Sequence, residues 1–134
     1  MEYTITLSSD RKFIVENIKG VISREIAMHV NLEAHALGKR LGITRYLIDV
    51  TEARNIDKNM DTYEFAYEDM RQAAGIDMFA RVAILVSLGD HSHDFVETVL
   101  RNAGLNVRLF TNLDEATRYL VDDLTANPPA SVDQ

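Results

Sequence analysis

The chain has 134 residues, a length that suits one domain whose core can stand without metal or disulfide staples. It has no cysteine, which excludes a disulfide scaffold, a thiolate zinc site, a cysteine nucleophile and thiol redox chemistry. Acidic residues outnumber basic ones, 21 to 14, and the basic ones are scattered, so neither nucleic acid nor an anionic membrane is an expected partner.

The first residues, Met1-Glu2-Tyr3-Thr4-Ile5-Thr6, do not place a hydrophobic stretch behind a basic flank. The longest apolar run, Val82 to Val86, is far short of the ~20 residues that span a bilayer. A cytoplasmic protein with no membrane span is expected. Residues 1–124 form the expected domain, and residues 125–134, which hold both prolines and little to bury, a flexible tail.

Tyr3, Ile5 and Leu7 alternate with polar residues as in a half-buried strand, and Phe13 to Ile18 follows after a polar turn, which predicts an antiparallel hairpin. Ser23 is placed to cap a long helix with the stripe Ile26, Val30, Ala34, Leu37 and Leu41, and Gly42 to stop it. Tyr46 to Val50 predicts a buried strand, with a loop from Thr51. A helix is expected from about Met60 to Ala74, with Tyr63, Ala66, Tyr67, Met70 and Ala74 inward, Phe65 outward as contact surface, and Gly75 as its stop. The unbroken apolar run in Arg81 to Ser87 predicts a central strand covered on both faces. A helix from about His93 to Ala103, a strand from Val107 to Phe110 and a last helix complete the order. That last helix would be capped by Asn112 with Glu115 and carry the stripe Leu113, Ala116 and Leu120. The fold class is therefore α/β, β-β-α-β-α-β-α-β-α, with a mainly parallel five-stranded sheet, one antiparallel N-terminal strand and four helices.

Two stretches carry a family resemblance. Leu47-Ile48-Asp49-Val50-Thr51 followed by Ile56-Asp57 sets a strand-ending Asp, a hydroxyl two residues on, and an Ile-Asp pair before the next helix. From Phe95 to Leu120, the residues Leu100, Gly104-Leu105, Phe110, Asn112, Glu115-Ala116 and Leu120 follow a helix, strand and helix closing pattern. Over about Tyr3 to Val121 the chain resembles the STAS fold group, and within it the SpoIIAA-like branch of small proteins similar to anti-sigma-factor antagonists. The resemblance implies a non-enzymatic regulatory or protein-interaction module. In the antagonists the Ile-Asp pair precedes serines, one of them phosphorylated by a partner kinase; here Lys58-Asn59-Met60 follows. No hydroxyl stands there, so a switch by added phosphate charge is not expected at that position.

Ligands of such sheets usually lie beyond the carboxyl ends of the parallel strands. The candidate ligand-binding residues are Asp49, Thr51 and Arg54 in the loop after one strand, and Asp90, His91 and His93 in the loop after the next. Arg54 offers a fork of donors, and the helix starting near His93 offers free amides for an anion. His91, His93 and a carboxylate from Asp49, Asp90 or Asp94 would suit a metal, whereas the plainer reading is a solvated loop whose Asp90 or Ser92 caps the helix. His29 and His35, six apart on the long helix, are expected at the surface or its boundary. A receiver domain is disfavoured because the last strand ends Leu109-Phe110-Thr111-Asn112, without a lysine for an acyl phosphate, and no acidic pair follows the first parallel strand.

Two classes remain, a non-enzymatic interaction module and a small-molecule or metal-binding protein or enzyme using Asp49, Arg54, His91 and His93. No catalytic residue, cofactor or metal is assigned. Self-association as a homodimer is also expected, because crossover helices would cover one sheet face and leave the apolar residues of the central strands bare on the other. Phe65, Met70 and Met78 would supply interface material.

Overall fold

A computed structural model describes residues 2–56, 64–70 and 75–125. The N-terminal alternation forms β1 (Glu2–Leu7), antiparallel to β2 (Ile14–Ile22), and the turn between them is closed by the Ser8 hydroxyl, which accepts from the Lys12 and Phe13 amides. β3 (Arg45–Asn55), β4 (Arg81–Leu85) and β5 (Asn106–Phe110) follow in parallel, and the strands lie side by side in sequence order. Between and after them come α1 (Arg24–Leu41), a π-helical segment (Phe65–Met70), α2 (Asp94–Asn102) and α3 (Leu113–Thr125).

Sequential strand order with crossovers of one hand places the connecting helices on one face of the sheet. On that first face Ile14, Ile18, Tyr46, Val50, Ile84 and Val107 pack against Val30 and Ala34 of α1, Phe65 and Met70 of the π-helical segment, and Val99 and Leu100 of α2. The last helix connects no pair of strands and folds back across the second face. There Ala116 and Leu120 meet Phe13, Leu47, Ala83 and Leu85. Arg45 and Arg81 tie α3 down by donating to the carbonyls of Leu120 and Tyr119 at 3.3 and 2.9 Å.

Several local signals act as expected. Ser23 caps α1 through the Ile26 amide, Gly42 ends it with φ 73°, and the Asn112 side chain accepts from the Glu115 amide at 3.0 Å. Other boundaries differ. β2 and β3 run on to Ile22 and Asn55, so Thr51 to Asn55 is strand rather than loop. The register passes from Asn17 opposite Asp49 to Lys19 opposite Glu52, so Val50 and Thr51 together face the single Ile18. Such a bulge leaves a ladder group unpaired, and the Thr51 amide donates to the Asp49 carboxylate at 3.0 Å. The extra residue also shifts the parity of β3, whose inward side chains change from Tyr46, Ile48 and Val50 to Ala53 and Asn55.

Most of the second predicted helix, including Tyr63 and Ala74, lies outside the described residues, as do the side chains of Ala66 and Tyr67 and the tail beyond Thr125. Within it Phe65 is a correction. It is buried rather than outward, because a π-helix turns less per residue than an α-helix, so that Phe65 and Met70, five apart, both face the core. Arg24 anchors the segment with a two-pronged contact to Asp69, at 2.6 and 3.0 Å, and a 3.2 Å bond to Glu64. His35 is a second correction, being 5% exposed inside the core rather than at its boundary, while His29 is exposed.

The argument for a homodimer through a bare face loses its basis. α3 covers most of the apolar part of that face, and the remainder is mainly polar or charged, with Thr4 and Thr6 of β1 and Lys19 of β2 exposed beside Val21. Of the proposed interface residues, Phe65 and Met70 are buried and Met78 packs against the core. No described helix is long and apolar enough to cross a membrane.

Candidate functional site

The strand extension past the bulge brings the two predicted ligand loops together. The Ser87 hydroxyl donates to the Thr51 carbonyl at 2.6 Å, the Asn55 amide donates to the Ser92 hydroxyl at 3.2 Å, and the His93 ring sits 3.4 Å from the Ala53 carbonyl. The loop from Ser87 to His93 therefore runs along the end of β3.

The six candidate side chains nevertheless divide. Asp49 and Thr51 bond to each other, with the Thr51 hydroxyl donating at 2.7 Å, and Asn17 donates to the other Asp49 oxygen at 3.3 Å. These groups answer the needs of the bulge. Asp49 projects on the α3 side of the sheet, the parity opposite to Ile48 and Val50. Arg54 is exposed. His91 is exposed and bonds Asp94 at 2.9 Å, out in solvent.

Asp90 and His93 do meet. The Asp90 carboxylate accepts from the Ser92 amide at 2.9 Å, which holds its pKa below the usual carboxylate range, and lies 3.6 Å from His93 Nε2. Neither Asp90 nor Ser92 caps α2, contrary to the expectation; its first residue follows His93, which makes no side-chain cap bond. His93 is turned inward and 5% exposed. Burial lowers its pKa, opposed by the Ala53 carbonyl and Asp90, so the ring is neutral at pH 7. Among the described residues no three His, Asp or Glu side chains converge closely enough to hold a metal.

His93 instead lines a space that the sequence reading did not anticipate. Between the first sheet face and the helices lies a slot of about 70 Å³, bounded by Glu16, Ile18 and Ile22 of β2, Ala27 and Asn31 of α1, Phe65, and Val96 and Leu100 of α2. A smaller cavity of about 30 Å³ adjoins it and shares Glu16, Asn31, Ile48, Ile84 and Leu100. All four buried polar or charged residues among those described, Glu16, Asn31, His35 and His93, border one or both spaces.

Glu16 is the unusual member. It is 1% exposed, and neither carboxylate oxygen has a hydrogen-bond partner among the described residues. Burial alone pushes its pKa up to about 8, so the carboxyl is mostly protonated at pH 7. Around it the donors are directed elsewhere. Asn31 Nδ2 faces the Met70 sulfur at 3.7 Å, and His35 Nδ1 accepts from the Asp77 amide at 3.0 Å. That bond assigns the His35 ring proton to Nε2 in the neutral form, and burial lowers its pKa to about 4. Tyr46 stacks on the His35 ring and donates to the Ile43 carbonyl at 3.3 Å.

Two sequence signals point to the site's inward polar side chains, though not to the space they share. Glu16 stands between Ile14 and Ile18 at period 2, which puts a carboxylate on the face of the two isoleucines. Asn31 and His35 are four apart on the face of Val30 and Ala34, the i, i+4 relation that stacks side chains on one side of a helix.

Comparison with known proteins supports the architecture. No family model matches the chain, and no curated protein matches it. A solved structure of an uncharacterised protein of the DUF3478 family with a SpoIIAA-like fold, from Shewanella loihica PV-4, is similar to it with a TM-score of 0.54 and 18% identity. The similarity covers 89% of this chain and 92% of that one. At that identity the likeness concerns the fold: the chain has a SpoIIAA-like fold.

Proposed function

We propose that the protein is a non-enzymatic regulatory module that acts by binding another protein at the C-terminal edge of its parallel strands. One observation carries the reading. Of the eight large apolar side chains exposed among the described residues, five stand at that edge: Val21, Ile56, Leu88, Phe95 and Leu113. Leu88 is 89% exposed, in a loop held against β3 by the Ser87 and Ser92 bonds. Single exposed leucines are ordinary, but apolar side chains gathered at one end of a domain suit association. A fixed backbone also lowers the ordering cost of binding.

The partner would present a complementary apolar surface. Lys58-Asn59-Met60, in place of the serines of the antagonists, leaves this partner contact without a kinase-driven release at that position.

The test uses the whole chain as bait with two variants. Leu88→Asp/Phe95→Asp charges the edge, and Phe79→Asp charges the 87% exposed Phe79 just before β4, at the opposite end. The expected result is a partner held by the wild type and by Phe79→Asp and lost by the double variant. Retention of the same proteins by all three, or of none by any, overturns the proposal.

A further inference from the structure

The slot beneath α1 and α2 is independent of the exposed edge. It is narrow, walled mainly by Ile, Val, Leu and Phe side chains, and runs along β2 from Glu16 towards Ile22 near the strand end. A space of about 70 Å³ exceeds the room one water needs by several-fold and is smaller than a cavity that takes benzene, roughly 150 Å³. It suits a straight molecule of about five non-hydrogen atoms.

A carboxyl at its inner end determines which molecule. Both Glu16 oxygens are buried without partners among the described residues, while the Asn31 amide faces the Met70 sulfur and the His93 ring faces the Ala53 carbonyl. The slot thus offers acceptors in excess and asks for a donor. A buried carboxylate is costly unless a cation pairs with it, and a cation is equally costly in an apolar slot unless it meets a carboxylate. The chain's formal charge of −7 favours the approach of a cation over that of an anion. We propose that the slot is a binding site for a short primary alkylammonium ion, whose chain lies along Ile18, Val50 and Val96 and whose ammonium group donates to the Glu16 carboxylate.

Such binding requires Glu16 to ionise, so it releases a proton near neutral pH. The other titratable groups facing this region are Tyr46 on β3, His35 on α1, Asp77 before β4 and His93 just before α2; opposite Glu16 on β1 is Ile5, and β4 contributes Val82 and Ile84. Tyr46, with its pKa raised to about 12, and His35, lowered to about 4, hold their neutral forms between pH 6 and 8. His93 is lowered by burial, and Glu16 is the carboxyl that passes from acid to carboxylate towards pH 8.

The experiment titrates the full chain, carrying ¹³C-labelled glutamate, with n-butylammonium chloride and separately with n-butanol, which has the same length and no charge. The expected result is saturable butylammonium binding that moves one carboxyl resonance from the acid to the carboxylate position. Affinity should rise towards tenfold per pH unit below pH 8 as ionisation becomes limiting. Butanol should bind at least ~tenfold more weakly. Glu16→Gln, which removes a buried ionisable group and keeps the shape, should abolish binding. Ala27→Leu, which fills the slot and retains the carboxyl, should weaken binding by ~tenfold or more. Equal binding of butanol, binding by Glu16→Gln within twofold of wild type, or a slot that takes water only overturns the assignment.

Discussion

His35 lies flat against Tyr46, the ring centroids 4.3 Å apart and the planes 4° from parallel. The Asp77 amide donates to the histidine in the ring plane while the tyrosine covers its face. Protonating His35 at Nδ1 would replace an acceptor with a second donor opposite that amide. Hydrogen bonding and burial therefore both hold the ring neutral.

The first prediction follows from this neutrality. His35 has a folded pKa of about 4 against 6.5 in the unfolded chain. Between those values the unfolded state binds the proton and the folded state does not, so this residue makes stability rise with pH from about 4 to 6.5. The full effect is about 3 kcal/mol. His35→Phe keeps the stack and should flatten that slope, at a cost of about 1–3 kcal/mol at pH 7 for the orphaned Asp77 amide. Urea midpoints at pH 5, 6 and 7 for both proteins provide the check; parallel lines would disprove it.

Glu16 acts in the opposite sense. Its folded pKa is raised to about 8 from 4.5, so above 4.5 the unfolded chain ionises first and stability falls as pH rises towards 8. The two residues oppose each other between about 4.5 and 6.5, and above 6.5 Glu16 acts alone. Glu16→Gln should match the wild type near pH 4.5 and exceed it at pH 8 by a few kcal/mol on the order set by the shift. An equal difference at both pH values would show that the carboxyl is already ionised in the folded chain.

Gly38 carries the third prediction. A Cβ built there would overlap the Tyr46 hydroxyl and approach the Ile43 carbonyl to 2.7 Å. Although alanine is the better helix former, Gly38→Ala should destabilise by about 1–3 kcal/mol through overpacking. Adding Tyr46→Phe removes the hydroxyl and should recover part of the loss, whereas the carbonyl contact remains. Additive costs in the double variant would place the strain elsewhere.

These residues mark what could be read from sequence. β1, the Gly42 stop and the Asn112 cap depend on neighbours within a few positions, and local patterning gave each of them. The ends of β2 and β3 project past β4, with Lys19, Gly20, Glu52 and Arg54 exposed, so their composition resembles a loop. Phe65 was misplaced because an α-helical period was applied to a π-helical segment. The inward position of Glu16 was present in the Ile14, Glu16, Ile18 alternation. That it would share a space with Asn31 and His93 depends on which helices cover β2, a tertiary relationship that no local pattern contains.

The last prediction concerns the second sheet face. Leu120 is fully buried against residues of β3 and β4, and Leu120→Ala should cost about 2–5 kcal/mol. Because α3 is what keeps Phe13, Leu47 and Leu85 from water, a chain ending at Asn112 would bare a contiguous apolar strip of the kind that drives association. Light scattering should therefore report a larger number of protomers per particle for the shortened chain than for the intact one. The point substitution gives a folded comparison, since it loosens the same contact without removing the helix. A shortened chain with the same number of protomers as the intact protein would mean that this face is not what α3 protects.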